Sequence, residues 1–167
     1  MILIDTPRLQ MREFTLEDVD AVYEFSSHPQ VIEFTGDKLV ESRENAKALI
    51  ENVWLKEYQQ YGYARYALIH KLDARIIGFC GIKFEPEDNL PDIGYRMLPV
   101  YWGQGLATEA VKATLQYAKE KLKLFKIFGE AVDENIASQQ VMLKSGLQHV
   151  AQYQKYGYLV HRFETQW

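Results

Sequence analysis

The stretch that decides the fold of this 167-residue sequence is Tyr101-Trp102-Gly103-Gln104-Gly105-Leu106-Ala107-Thr108-Glu109-Ala110. It follows a β-rich run that Pro99 ends, and it opens an amphipathic run with helical spacing. Gly103 and Gly105 let backbone N–H groups approach a ligand with no Cβ in the way. The first N–H groups of a helix lack intrahelical partners and lie at the positive end of the helix dipole. The stretch therefore predicts a strand-to-helix turn that can bind an anion such as a phosphate.

Two common phosphate-binding loops have patterns that differ from this stretch. A dinucleotide-binding fingerprint places a third Gly or Ala three residues after the second glycine, where this sequence has Thr108. A Walker loop requires Gly-Lys-Ser or Gly-Lys-Thr, which is absent. A Rossmann-like dehydrogenase and a P-loop enzyme are therefore disfavoured. Two spaced glycines alone leave open a tight turn that binds nothing.

The rest of the chain predicts one mixed α/β domain over residues 1–167. Seven runs have the composition and alternation of strands: 8–14, 63–70, 75–84, 92–98, 125–132, 147–155 and 158–164. Four runs have helical spacing or capping signals: 15–27, 42–61, 103–122 and 135–144. No linker, repeat or low-complexity segment interrupts them. We expect a strongly twisted mixed sheet of six or seven strands with helices on both faces.

Composition and charge narrow the classes of function. The net charge of -4 argues against general nucleic-acid binding, because phosphate neutralisation needs clustered Lys and Arg. No apolar run approaches the roughly 20 residues of a membrane span, and residues 1–7 are too short for a signal peptide. We therefore expect a cytoplasmic protein that does not bind membranes. The histidines have no metal-ligand spacing, so no metal is expected, and the lone Cys80 excludes an internal disulfide.

The central stretch resembles the acetyl-CoA pyrophosphate loop of the GNAT superfamily of N-acetyltransferases, whose pattern is Arg/Gln-x-x-Gly-x-Gly/Ala. Gly105 and Ala107 match the last two positions, whereas Trp102 stands at the first. That departure is typical of the subgroup similar to ribosomal-protein N-terminal acetyltransferases of the RimJ/RimL kind, which favours Tyr-Trp-Gly-x-Gly-x-Ala-Thr-Glu-Ala. Further motifs extend the resemblance over about residues 6–155: Thr6-Pro7-Arg8-Leu9 with Arg12, Ile93-Gly94-Tyr95 with Pro99, Asn135-x-x-Ser138, and Lys144-Ser145-Gly146-Leu147, where the family has Phe last.

The resemblance implies the GNAT fold and acetyl-CoA as cosubstrate. In that fold the fourth and fifth strands of a twisted, mostly antiparallel sheet splay apart, and the pantetheine arm lies in the gap. Here the splay would lie between residues 92–98 and 125–132. Backbone groups near Met97 and Leu98 would bind pantetheine, and the N–H groups of residues 103–108 would bind the pyrophosphate. The implied cofactor-binding residues are Met97, Leu98, Trp102, Gly103, Gln104, Gly105, Leu106, Ala107, Thr108, Asn135 and Ser138.

The resemblance also implies acid and base roles. Many GNAT enzymes use a tyrosine on the last helix as general acid for the CoA thiolate, but Met142 stands there and cannot donate a proton. Ser138, one helical turn after Asn135, resembles the substitute proposed in this subgroup. Asp92 aligns with an acidic residue that opens the fourth strand and is the candidate base, through a water chain, with Glu85 as its rival. Plainer interpretations are a helix N-cap for Asn135, an ordinary helical serine for Ser138 and a strand-capping acid for Asp92.

The predicted function is transfer of acetyl from acetyl-CoA to a primary amine, by direct attack in a ternary complex. The expected acceptor is the α-amine of a peptide or protein N-terminus. Small amines such as polyamines, aminoglycosides or amino acids are the alternative acceptors. The alternative from another class is a non-catalytic acyl-CoA-binding module, which Met142 keeps open. The expected partners are acetyl-CoA and the amine, with a homodimer left open.

Overall fold

The computed structural model describes residues 1–167 and contains one sheet of eight strands in the order β1-β2-β3-β4-β5-β6-β8-β7. The strands are β1 Ile4–Asp5, β2 Leu9–Arg12, β3 Arg65–His70, β4 Arg75–Glu85, β5 Leu90–Met97, β6 Phe128–Val132, β7 Gln148–Lys155 and β8 Tyr158–Glu164. All neighbouring strands are antiparallel except β5 and β6, which run parallel.

Six α-helical segments surround the sheet. They are α1 Val19–Ser26, α2 Pro29–Ile32, α3 Arg43–Leu49, α4 Leu55–Tyr61, α5 Leu106–Glu120 and α6 Ile136–Lys144. The π-helical segment Ile50–Trp54 joins α3 to α4, so the predicted helix over 42–61 is one continuous run with a wider turn in its middle. None of the helices combines the length and the apolar character that crossing a bilayer requires.

Local sequence signals account for where the helices begin. A short 3₁₀ turn, Leu16–Asp18, leads into α1 and begins with a capping box: the Thr15 hydroxyl accepts a hydrogen bond from the Glu17 N–H, and the Asp18 carboxylate accepts one from the Thr15 N–H. The predicted helix over 103–122 instead starts at Leu106. Gly103 and Gly105 have φ values of 75° and 78°, a left-handed conformation that a helix cannot contain.

The mixed α/β fold with helices on both faces is confirmed, but the expected count of six or seven strands was too low by the short strand β1. Its two residues pair with Gln10 and Met11 of β2. A strand of two residues has no alternation that a sequence could reveal. The strands predicted fourth and fifth are β5 and β6 of the structure.

Neighbouring residues of β4 identify the helices on each face. The Cys80 sulfur lies 3.3 Å from the Thr114 hydroxyl of α5. Phe79 points the other way, because successive side chains of a strand alternate, and packs edge-on to Phe25 of α1 at 6.0 Å between ring centroids. Trp54, at the end of the π-helical segment, packs on the same side of the sheet, with its ring centroid 5.9 Å from that of Phe79. The helices α1 and α3–α4 therefore cover one face, and α5 and α6 cover the other.

One buried tyrosine joins α4 to the start of β3. The Tyr58 hydroxyl accepts a hydrogen bond of 3.1 Å from the Phe14 N–H and donates one to the Arg65 carbonyl. Burial raises the pKa of this phenol, so it stays protonated and keeps both roles. The neighbouring Tyr66 stacks on it at 5.9 Å but makes no hydrogen bond through its own hydroxyl.

We predict that Tyr58→Phe lowers the free energy of unfolding by about 1–3 kcal/mol, because two buried backbone groups lose their partner. Tyr66→Phe is the matched control and should change it by less than about 0.5 kcal/mol. Urea unfolding of both variants measures the difference. Equal losses in the two variants would contradict the role given to the Tyr58 hydroxyl.

Candidate active site

The sheet opens between β5 and β6. The two strands pair at a single position, Asp92 opposite Phe128, and diverge beyond it. At the far end of β5 the Leu98 N–H donates to the Ile77 carbonyl of β4, at 2.9 Å. Because backbone groups alternate along an antiparallel pair, the N–H groups of Tyr95 and Met97 point the other way, into the opening. The Leu98 N–H is thus used by the sheet, whereas the Met97 N–H faces the gap.

The turn before α5 carries a row of free donors. None of the six N–H groups from Gly103 to Thr108 donates to a protein acceptor, and the first helical bond runs from the Glu109 N–H to the Gly105 carbonyl. Trp102 closes the turn on the β5 side, since its indole N–H donates to the Met97 carbonyl at 2.8 Å. Such a cluster of N–H groups at a helix N-terminus suits a phosphate group.

A hydrogen-bond network from the connection between β1 and β2 holds this turn in place. Arg8 donates from its guanidinium to the Gln104 carbonyl at 2.8 Å and to the Glu109 carboxylate at 2.6 Å. Thr6 donates its hydroxyl to the same carboxylate, at 2.8 Å. Burial raises the pKa of Glu109, but the hydrogen bonds from Arg8 and Thr6 outweigh it and lower that pKa below its usual value. Glu109 therefore stays ionised, and the ion pair with Arg8 neutralises its negative charge.

Two clefts meet at the opening in the sheet. The large cleft, of about 680 Å³, lies between the turn before α5, one side of α6 and α2 with the residues that follow it. The small cleft, of about 240 Å³, lies among β5, β6 and the β7–β8 hairpin. The residues that line both clefts are Phe34, Thr35, Tyr95, Arg96, Asn135 and Ser138. A molecule in each cleft could thus meet the other beside Tyr95 and Ser138.

The N-terminus of α6 lies at this junction. Asn135 is its N-cap, and its side-chain oxygen accepts a hydrogen bond of 3.2 Å from the Ser138 N–H. Ser138 is buried with its hydroxyl beside the Tyr95 phenol. Burial raises the pKa of Tyr95, and the contact with Ser138 opposes that rise. Met142, further along α6, is buried against Gly129 of β6 and offers no proton.

The candidate base Asp92 lines the small cleft but already has a partner. Its Oδ1 lies 2.8 Å from Nη2 of Arg65, in an ion pair that is not aligned as a hydrogen bond. The guanidinium also donates to the Gly81 carbonyl at 2.8 Å and occupies space that only a glycine at position 94 leaves free. The rival Glu85 lines neither cleft. Burial, with the Asp92 charge second, raises the pKa of Glu85.

The sequence-derived site residues fall into three groups. Nine of them line the large cleft: Met97, Trp102, Gly103, Gly105, Leu106, Ala107 and Thr108, with Asn135 and Ser138 shared by both clefts. Asp92 lines the small cleft alone. Leu98 and Gln104 line neither cleft, although the Gln104 carbonyl is held by Arg8.

Tyr95 at the junction and Glu130 of the small cleft were absent from the sequence-derived set of site residues. Tyr95 belongs to the Ile93-Gly94-Tyr95 motif of the resemblance, but the motif implied no role for its hydroxyl. Glu130 on β6 lines the small cleft, where it accepts hydrogen bonds from the Tyr153 hydroxyl and from Lys155, the latter at 2.8 Å. A usable signal was available for Glu130, because it is the only charged residue of the strand Phe128–Val132.

Two relatives and two solved structures are similar to the chain over much of its length. It is 27% identical over 157 residues to the uncharacterized N-acetyltransferase YoaA of Bacillus subtilis, covering 93% of this chain and 88% of that protein. It is 28% identical over 110 residues to the ribosomal-protein-serine acetyltransferase of Escherichia coli, covering 65% of this chain and 60% of the other. A GNAT-family acetyltransferase from Bacillus anthracis superposes with a TM-score of 0.83 at 24% identity, over 98% of this chain and 97% of that chain. Spermidine N-acetyltransferase from Vibrio cholerae, in complex with CoA and spermine, has a TM-score of 0.77 at 16% identity, over 95% of each chain.

The free N–H groups of the turn before α5 and the opening between β5 and β6 are the two features that the resemblance implied for binding acetyl-CoA. The family described as acetyltransferase (GNAT) domain matches residues 8–148. This chain therefore belongs to the GNAT family of acetyl-CoA-dependent acetyltransferases.

Proposed function

We propose that this acetyltransferase acts on the α-amine of a peptide or protein N-terminus, by direct attack on acetyl-CoA in a ternary complex. The observation that carries the proposal is the meeting of the large and small clefts beside Tyr95 and Ser138. Two separate clefts with one shared junction suit two substrates bound at the same time. The similarity to a ribosomal-protein-serine acetyltransferase supports the choice of acceptor.

In this proposal the large cleft binds acetyl-CoA. The N–H groups of residues 103–108 would hold the pyrophosphate, and the neutralised Glu109 would not repel it. The opening between β5 and β6 would take the pantetheine arm as an added strand. The Met97 N–H, which faces that opening, would polarise the thioester carbonyl, a contribution commonly worth about 3 kcal/mol in the transition state.

The small cleft would bind the acceptor amine. An α-amine has a pKa near 8, so about a tenth of it is already neutral at pH 7 and a weak base suffices. The carboxylates that line this cleft are Asp92 and Glu130, each paired with a cation, and a carboxylate is a weak base of that kind. A lysine amine with a pKa near 10.4 would need a stronger base. Asp92 would take the proton through water, and Ser138 would give one to the departing thiolate.

Tyr95 is a second candidate for the proton donor, because its phenol lies beside Ser138 at the junction. The two hydroxyls can also act in series, with Ser138 donating to the thiolate and Tyr95 donating to Ser138. Either donor would replace the tyrosine that the resemblance puts at position 142, where the buried Met142 has no proton to give.

Small amines are the alternative acceptors. The spermidine N-acetyltransferase of Vibrio cholerae has the same fold, which supports a polyamine as the rival. A non-catalytic acyl-CoA-binding module is the alternative from another class, and the buried Met142 supports it. Release of free thiol from acetyl-CoA, measured with N-terminal peptides, polyamines, aminoglycosides and amino acids, separates these functions. Turnover of a polyamine but of no peptide would reject our choice of acceptor.

We predict that Gly105→Glu abolishes acetyl-CoA binding, weakening it at least about 100-fold, because a carboxylate would occupy the pyrophosphate position. Calorimetric titration with acetyl-CoA measures the effect. Gly62→Glu is the matched control, since Gly62 has a similar φ of 80° at the end of α4, far from the turn. That variant should bind normally, and normal binding by folded Gly105→Glu would refute the phosphate site.

We predict that Ser138→Ala lowers kcat about 100-fold with little change in the KM for acetyl-CoA, because proton donation acts only in the transition state. Tyr95→Phe is the informative comparison. If the two hydroxyls act in series, it should lower kcat by a smaller factor, whereas a larger loss in Tyr95→Phe would make Tyr95 the donor. A raised KM for acetyl-CoA with unchanged kcat in Ser138→Ala would show that Ser138 only binds.

A further inference from the structure

The charges that line the small cleft do not cancel. Its charged lining residues are Arg65, Arg96, Lys155, Asp92 and Glu130. Arg65 pairs with Asp92, and Lys155 pairs with Glu130, so two cations have their anions within the lining. Arg96 is the third cation and has no anion among these residues. The lining itself therefore holds one more cation than anions, and the anion that pairs with this extra cation, Asp37, is not a lining residue.

Arg96 is held inside the protein with few of its donors used. Its side chain is 17% exposed, and its guanidinium lies over the Phe79 ring at 5.2 Å from the centroid. A guanidinium has five N–H donors. Only Nη2 of Arg96 makes a hydrogen bond, to the carboxylate of Asp37. Burial lowers the pKa of Arg96 to about 10, so it remains cationic near pH 7.

The one partner of Arg96 lies outside the cleft wall. Asp37 follows Gly36 in the segment between α2 and α3, its side chain is 56% exposed, and it lines neither cleft. Arg96 is partly buried, and four of its five N–H donors have no protein acceptor and face clefts that water or a ligand can enter. An anion that entered the cleft could use the free donors of Arg96 or take the place of Asp37.

The position of Arg96 identifies which part of a ligand it would meet. It belongs to the residues shared by the two clefts, beside Tyr95 and Ser138, where the acceptor amine would react under the proposed function. An anion bound to Arg96 would thus be close to the attacking nitrogen. From this we infer that the acceptor is an amine carrying a carboxylate within a few bonds of it, and that Arg96 selects that acceptor. An amino acid with a free α-carboxylate fits this description, and so does a peptide with an acidic residue at its start.

This inference rests on the proposed acceptor site, and it narrows the class of amines that the site would accept. A polyamine brings only positive charge and offers no acceptor to the free donors of Arg96, so the cationic guanidinium at the junction would disfavour it. Hydrogen bonds between charged groups contribute enough to give roughly a 10- to 100-fold preference. Free amino acids and acidic peptides both offer Arg96 a carboxylate near the amine, so each needs its own matched pair of acceptors.

The test compares kcat/KM for matched acceptors that differ in one carboxylate. The first pair is the C-terminally amidated tetrapeptides Ser-Asp-Ala-Ala and Ser-Asn-Ala-Ala, the second is alanine and alaninamide, and spermidine is the cationic arm. We expect the wild-type protein to favour the carboxylate member of at least one pair by about 10- to 100-fold and to use spermidine least. Preference for the amides or for spermidine would overturn the inference.

Two variants test whether Arg96 selects the acceptor or only stabilises the neighbouring segment. Arg96→Gln should reduce the preference to less than about 3-fold, through a higher KM for the carboxylate acceptor and not for acetyl-CoA. Asp37→Asn should act in the opposite direction, lowering that KM several-fold, because it removes the competing carboxylate. If Arg96 and Asp37 only held the segment in place, both substitutions would impair charged and neutral acceptors alike. Thermal unfolding and acetyl-CoA binding check that each variant is folded.

Absence of turnover with every acceptor would refute the proposed function without deciding the role of Arg96. Calorimetric titration of the same acceptor pairs into the protein saturated with CoA then decides it. Tighter binding of the carboxylate member, lost in Arg96→Gln, supports the inference. Equal binding of both members by the wild-type protein refutes it.

Discussion

The single bridge between Asp92 and Phe128 is the constraint on which the rest of this molecule depends. A parallel pair normally continues for several residues, because each further bond satisfies a backbone donor and an acceptor. Here it stops, and the N–H groups of Tyr95 and Met97 face a gap with no strand in it. The sheet tolerates the gap because β4 on one side and β8 on the other hold β5 and β6 over their full lengths. Binding of an extended ligand in the gap would restore pairing that the protein itself leaves incomplete.

Both clefts depend on that opening, but they differ in whether their polar groups are charged and how those charges are paired. The turn before α5 offers uncharged N–H groups, and its one nearby carboxylate, Glu109, is neutralised by Arg8. The small cleft instead holds its carboxylates in ion pairs with Arg65 and Lys155. The two clefts thus differ in the groups they present: uncharged N–H donors in the large cleft, and carboxylates already paired with cations in the small one.

Local features were predictable from the sequence, whereas the pairing of charges was not. The turn at Gly103 and Gly105, the cap at Asn135 and most strands follow from residue types and spacing over a few positions. The ion contacts at Arg65, Lys155 and Arg96 join residues 27, 25 and 59 positions apart, and only the register between strands and loops brings them together. The direction of the Leu98 N–H was unpredictable for the same reason. Whether Met97 or Leu98 faces the gap is decided by which of them pairs with β4.

The network of Thr6, Arg8 and Glu109 has a consequence for the order in which the protein is made. Arg8 and Glu109 are 101 residues apart, yet together they shape the turn before α5. Ribosomes add about 5–20 residues per second, so Arg8 is synthesised several seconds before its partner. During that time the early strands have no α5 to pack against, and the turn cannot take its final shape. A nascent chain therefore acquires the final shape of the turn before α5 late, after about two-thirds of it has been synthesised.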